Sequence, residues 1–250
     1  MKHLLKIGFC IVVLVVVLAI MLSGCGLSRK LKGVELKFQK KITEAEALSF
    51  DMLVTVIDAD GTQQIDIGCY KQDDEYAYIF ADPDNKQAVY RRLYADNKYY
   101  EFLQTGSLIT AGTYYVQDNV SYTVDENILY AVTKYVMLAS YATLISSGKK
   151  ETLAGVETYR YDFNVSGNTY SLWYDDENLV QVEAIFRTED GGNTTEETYR
   201  AAFSNYKFAD VDRAPFARPD AGLYVESPIP MQAWMEIITK FSNKMSGWAK

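Results

Sequence analysis

FDMLVTVIDADGTQQIDIGC, residues 50–69, is the stretch on which the fold turns. Phe50, Met52, Val54 and Val56 occupy alternate positions, and Ile65, Ile67 and Cys69 resume the same alternation after Asp60-Gly61. A period of two puts every apolar side chain on one face of an extended strand. An Asp-Gly pair between two such runs closes a hairpin. The stretch therefore predicts two antiparallel strands with one buried and one solvated face.

The same reading extends in both directions. Tyr76, Tyr78 and Phe80 alternate after the acidic turn Asp73-Asp74-Glu75, and Tyr90, Arg92 and Tyr94 alternate with Val89 and Leu93. Ala95-Asp96-Asn97 turns the chain into a strand at 99–103, whereas 105–119, rich in Gly, Thr and Tyr, reads as a loop or a short edge strand. In the second half Tyr159, Tyr161 and Phe163 share a face, followed by Tyr170, Leu172 and Tyr174 and then Val180, Val182, Ala184 and Phe186. Turns fall at 166–168, 175–178 and 190–193, and a long last strand is predicted at 196–206. The spacing is that of a meander. Its economical form is a curved antiparallel sheet of about nine to eleven strands with an apolar filling on its concave face. The fold class is mainly β, with helices added.

Two helices supply that filling. Asp125 caps residues 126–146, where Ile128, Leu129, Val132, Tyr135, Val136, Met137, Leu138 and Tyr141 cover nearly the whole circumference. A helix that is apolar all round belongs in an interior. Near the C-terminus Met231, Trp234, Met235, Ile238, Phe241, Met245 and Trp248 repeat at helical spacing. Such a stripe suits a ligand groove, a membrane interface or ordinary packing.

The N-terminus sets the compartment. Lys2 and Lys6 precede an uncharged run of 16 residues, 7–22, which at about 1.5 Å per residue is shorter than the roughly 20 apolar residues a membrane-spanning helix needs. Leu22-Ser23-Gly24-Cys25 resembles the bacterial lipobox, which implies a signal peptide at 1–24, cleavage after Gly24 and thioether lipidation of Cys25. The expected location is the extracytoplasmic face of the cell membrane, held there by acyl chains. Arg29, Lys30, Lys32, Lys37, Lys40 and Lys41 make a basic tether over 25–46, suited to anionic lipid or simply to solvent. The whole chain carries a net charge of −8, and its acidic body beyond the tether excludes nucleic acid as a partner.

Much chemistry is excluded as well. His3 is the only histidine and leaves with the signal, so Ser-His-Asp triads, Cys-His pairs and histidine zinc sites cannot form. With Cys25 acylated, Cys69 has no partner for an intramolecular disulfide. Asp58-Ala59-Asp60-Gly61 fails as an EF-hand, because Val56 and Ile67 stand where the loop needs its first and last carboxylates. Ser146-Ser147-Gly148-Lys149 has S-x-x-K spacing but no K-T-G accompanies it. Asp73-Asp74-Glu75 and Asp175-Asp176-Glu177 could pair carboxylates for glycoside cleavage, yet both sit where turns place surface acids. No catalytic residue, metal site or cofactor is assigned, and the chain is read as a non-enzyme.

Gly155-Val156-Glu157-Thr158-Tyr159-Arg160-Tyr161-Asp162-Phe163, a turn, then Leu172-Trp173-Tyr174-Asp175 and Leu179-Val180 resemble the central repeat of LolA/LolB-type lipoprotein carriers and related lipid-binding lipoproteins. The resemblance implies a half-open antiparallel barrel over 47–210, closed by helices over an apolar cavity, with 211–250 a Pro-rich segment and amphipathic helix outside the shared pattern. A lipidated Cys25 departs from the soluble carriers and points to an anchored binder. The expected function is to bind an apolar or amphipathic ligand, lipid included, between sheet and helices. Met52, Val54, Tyr135, Met137, Tyr161, Phe163, Leu172, Val182, Trp234 and Met235 are the expected ligand contacts. The alternative is an envelope interaction or structural module whose exposed tyrosines meet another protein.

Overall fold

The computed structural model describes residues 37–38, 40–81, 88–105, 112–118, 148–165, 167–190, 192–220, 222–229, 236–237, 239 and 241. The expected signal, lipobox and helix 126–146 lie outside them, as do Trp234 and Met235. The chain forms β1 (Ala47–Asp58), β2 (Gly61–Gln72), β3 (Glu75–Ala81), β4 (Ala88–Ala95), β5 (Lys98–Thr105) and β6 (Gly112–Asp118). It continues with β7 (Lys149–Leu153), β8 (Val156–Val165), β9 (Asn168–Tyr174), β10 (Leu179–Asp190), β11 (Asn193–Lys207) and β12 (Tyr224–Glu226).

All twelve strands join one sheet in the order β12-β6-β5-β4-β3-β2-β1-β11-β10-β9-β8-β7. Two meanders meet where β1 pairs with β11, and among the described residues β12 and β7 remain as unjoined ends, so the barrel is half open. The expected curved antiparallel sheet is present, with twelve strands where about nine to eleven are expected, and the alternation does not signal the short strands β7 and β12. One of them, β12, runs parallel to β6, the single departure from the antiparallel pattern among the described strands. The stretch read as a loop or edge strand supplies β6, second from the end of the sheet.

Turn chemistry sets the hairpins. Asp96 and Asn97 both take positive φ, 55° and 57°, in the two-residue turn between β4 and β5, a geometry that Asx residues tolerate and that matches the twist of the flanking strands. Ala154 and Gly155 do the same between β7 and β8, at φ of 49° and 84°. Bulges between Ser49 and Asp51 on β1, and between Leu179 and Gln181 on β10, shift the register and bend the sheet.

The alternation sorts side chains as the sequence predicts. On the concave face Met52, Val54, Ile65, Ile67, Phe80, Tyr161, Phe163, Leu172, Val182 and Ala201 merge into one core. Helical residues near 37–44 add Phe38 and Ile42 to it, and helical residues near 236–241 add Ile237 and Phe241. Ile237 and Phe241, four residues apart, set the face of the C-terminal helix that meets the sheet.

The convex face is divided. Over β2–β6 the segment after β11 lies back on the sheet, and a 3-10 turn at Ala214–Phe216 drops Phe216 beside Val211 onto Ala77, Leu93, Tyr100 and Phe102. Arg91 fixes this strap: its guanidinium lies 4.0 Å over Phe102 and donates to the carbonyls of Ala214 and Pro215 at 3.2 and 3.4 Å. Arg218 joins it to two hairpin turns, 2.6 Å from Glu75 and 2.7 Å from Asp96. Across β8–β11 and onto β1 and β2 the convex side chains are mostly polar and pair with one another, and the apolar Trp173, 3% exposed, is covered by the Arg160 guanidinium 4.9 Å over its ring. Ser171 donates to Asp162 at 2.6 Å, Arg200 to Glu183 at 2.7 Å and Gln64 to Thr55 at 3.1 Å. Side chains of the sheet itself, rather than a second layer, cover much of that half.

Candidate functional site

Strand register brings the expected ligand contacts together. Val54 pairs with Ala201, Ala201 with Val182, Val182 with Leu172 and Leu172 with Tyr161, a row that crosses β1, β11, β10, β9 and β8. Met52 and Phe163 flank the row one step away on the same face. All seven are at most 5% exposed. They form the packed floor of the concave face, against which Phe38 meets the rings of Tyr174 and Tyr206 at 6.3 and 5.5 Å. Tyr135, Met137, Trp234 and Met235 fall outside the described residues, and so does Cys25.

Toward β3–β6 the same face changes character. Tyr78 pairs with Arg92, Arg92 with Glu101 and Glu101 with Tyr115, so a cation and an anion continue the row that begins with Cys69. Arg92 Nε donates to the Tyr90 hydroxyl at 3.1 Å, and its guanidinium lies 5.5 Å from the centre of the Phe80 ring. The Tyr99 hydroxyl donates to Glu101 Oε1 at 2.9 Å, while Arg92 Nε stays 3.9 Å from that oxygen. Arg92 and Glu101 side chains keep 31% and 21% of their exposure, and Tyr115 stands exposed at the rim.

Burial governs protonation here. It raises the Tyr90 phenol to about 12, against the pull of Arg92, and it raises Tyr99 further. Burial draws the Arg92 guanidinium down, but Tyr99, Tyr90 and Glu101 more than offset this, and Arg92 stays charged. Cys69 is fully buried on the floor, and burial, reinforced by Asp51, lifts its thiol well above the ordinary range. It is an apolar filler rather than a nucleophile.

The sequence places Tyr90, Arg92 and Tyr94 on one face of a strand, and the structure assigns that face to the concave side. Nothing in the alternation separates this from the opposite assignment, because Leu93 on the other face is also fully buried, under the strap. Glu101 carries no sequence signal of its own.

The turn carboxylates have structural partners. Glu75 binds Arg218, Glu177 binds Lys41 at 2.8 Å, and Asp175 Oδ1 accepts the backbone N–H groups of Glu177 and Asn178, both at 2.6 Å. Among the described residues no group of three or more His, Cys, Asp or Glu is arranged to hold a metal ion. Among them, too, no helix is long and apolar enough to cross a membrane. A polar cleft of about 560 Å³ opens at the β1–β11 bulge, lined by Ser49, Asp51, Tyr70, Asn205, Lys207 and Asp212.

No family model matches the chain, and no curated protein is similar to it in sequence. Solved structures similar to it include the Mycobacterium tuberculosis lipoprotein LppX, at 10% identity and a TM-score of 0.38, covering 75% of this chain and 97% of that one. A LolA superfamily protein from Nitrosomonas europaea follows at 8% identity and a TM-score of 0.31, with 75% and 97% covered. PNGF-II is similar at 10% identity and a TM-score of 0.27, with 78% of this chain covered but 34% of that one. The kind of protein named by the sequence resemblance thus recurs among similar structures. Likenesses this distant say nothing of what the chain binds, and its own residues carry the reading that follows.

Proposed function

We propose that the chain is a lipid-anchored extracytoplasmic lipoprotein that binds an amphipathic ligand against the concave face of its half-open sheet, and that it is not an enzyme. One observation carries this reading: the concave face is itself amphipathic. From β1 to β8 it is aliphatic and aromatic, and across β3–β5 it passes into a tyrosine field that holds one cation and one anion. A core built only for stability gains nothing from placing Arg92 and Glu101 on its inner wall, since a partly desolvated charge costs free energy unless it is answered. An amphiphile makes use of both halves. Its tail would lie on the floor beside Met52, Val54 and Leu172, with the C-terminal helix over it, and its polar end would reach the β4–β5 tyrosines.

The test is the mass of the native protein. Full-length chain extracted from its own membranes with a mild non-ionic detergent is expected to carry about one equivalent of an amphiphile in native mass spectrometry, beyond the acyl chains on Cys25. A mass equal to the acylated polypeptide, with no uptake of added amphiphile, would show a solidly filled interior and redirect the search to protein partners of the exposed tyrosines.

A further inference from the structure

Arg92 has five N–H donors, of which the Nε–H goes to Tyr90. Neither terminal guanidinium nitrogen has a hydrogen-bond partner among the described residues, and the nearest approach to Glu101 Oε1, 3.9 Å, is too long for one. Glu101, by contrast, is answered by the Tyr99 hydroxyl. The pair therefore leaves an unmatched planar fork of donors on Arg92. The fork is held in place from below by the Phe80 and Tyr90 rings, whose centres lie 5.5 and 5.4 Å from its carbon. It sits on the same face as the apolar floor and keeps 31% of its side-chain exposure. Rings that fix a guanidinium while leaving its terminal donors open preorganise it for two parallel bonds to an oxyanion.

We infer that Arg92 is the headgroup subsite of the concave face, taking the carboxylate or phosphate oxygens of an acidic amphiphile while the Tyr90 and Tyr99 hydroxyls hold the surrounding polar field. This rests on the amphiphile reading above and narrows it to a ligand class. The apolar floor supplies affinity for any chain of suitable length, and Arg92 supplies the preference for an acid over a neutral head.

Three ligands with the same tail separate the two claims: dodecanoate, dodecyl phosphate and dodecanol, each competed against Nile red on the full-length chain in non-ionic detergent. The wild type is expected to bind at least one of the two acids about tenfold more tightly than the alcohol, the scale of a charge-assisted hydrogen bond. Which acid wins distinguishes a fatty-acid source from a phospholipid one. In Arg92→Gln that preference is expected to fall to within about twofold while dodecanol binds as before, which also shows that the variant is folded. If Arg92→Gln does not fold, Arg92→Lys decides the matter. A retained but smaller preference for the acid supports the subsite, and equal binding of acid and alcohol overturns it. An unchanged preference in Arg92→Gln overturns the subsite and leaves the amphiphile reading standing. Failure of all three ligands to displace dye from the wild type overturns both.

Discussion

Tyr90 is 1% exposed and accepts the Arg92 Nε–H, so its phenol is set among charges that it must not join. Burial lifts it from the ordinary 10 to about 12. The sign of the linkage follows: the unfolded chain loses this proton near pH 10, the folded chain holds it to about pH 12, and the favourable contribution, fully present below pH 10, is lost as pH rises between those values. Urea unfolding of wild type and Tyr90→Phe at pH 9 and pH 12 measures it. The wild type is expected to lose about 2 kcal/mol more than the variant over that interval. Equal losses would mean that the phenol is not held in a desolvated setting. Leu172, 2% exposed in the middle of the floor, makes a simpler case. Leu172→Ala removes packed methyl groups and is expected to cost about 2–5 kcal/mol in the same experiment at neutral pH.

At the scale of elements the edge strand β12 shows what the alternation could and could not tell. Period-two patterning made the long strands and their hairpins legible, because a strand with one wet face writes itself as apolar, polar, apolar. It also put Met52, Val54, Tyr161, Phe163, Leu172 and Val182 on one face, as found. It missed β7, Lys-Lys-Glu-Thr-Leu at the end of the described sheet, and β12, whose three residues are placed by contacts rather than by pattern. Arg92 and Glu101 were illegible as a pair, since only the register of β4 and β5 sets them opposite one another. The contacts that place β12 are specific. Tyr224 stands edge-on to Phe102 at 5.9 Å, Gly112 N–H donates to the Leu223 carbonyl at 3.2 Å, and Ser227 N–H donates to Tyr114 O at 2.8 Å. A Cβ at Gly112 would lie 2.5 Å from the Tyr224 ring and 2.6 Å from the Leu103 carbonyl oxygen, which belongs to backbone and cannot step aside. Gly112→Ala is therefore expected to release β12. Hydrogen exchange would register it as lost protection at Gly112 and Ser227, with β8–β11 unchanged, and retained protection at both amides would refute the argument.

For the whole molecule the question is how an anchor and a binding face divide the work. The strap runs along the convex face and pairs as β12, and beyond it Ile229, Ile237 and Phe241 pack on the concave side. At the other end of the described chain Phe38 and Ile42 enter the same core, so the basic residues 29–32 lie directly before a segment fixed to the sheet. The floor is thereby packed by residues from both ends of the described chain, and under the proposed function tethering and ligand binding are expected to be separable. Cys25→Ser tests the separation. In the proposed arrangement it removes the thioether and the cleavage that depends on it, leaving only a 16-residue apolar run to hold the membrane, too short to span comfortably. Alkaline carbonate washing of membranes is expected to release a large share of the variant and little of the wild type. The detergent-solubilised variant should still show the wild-type preference of Arg92 for an acidic C12 ligand over dodecanol. Retention of the variant on washed membranes would assign the anchor to residues 7–22 instead. Loss of the ligand preference alone would mean that the acyl chains themselves complete the concave face, making the protein's own lipid the natural occupant of the site.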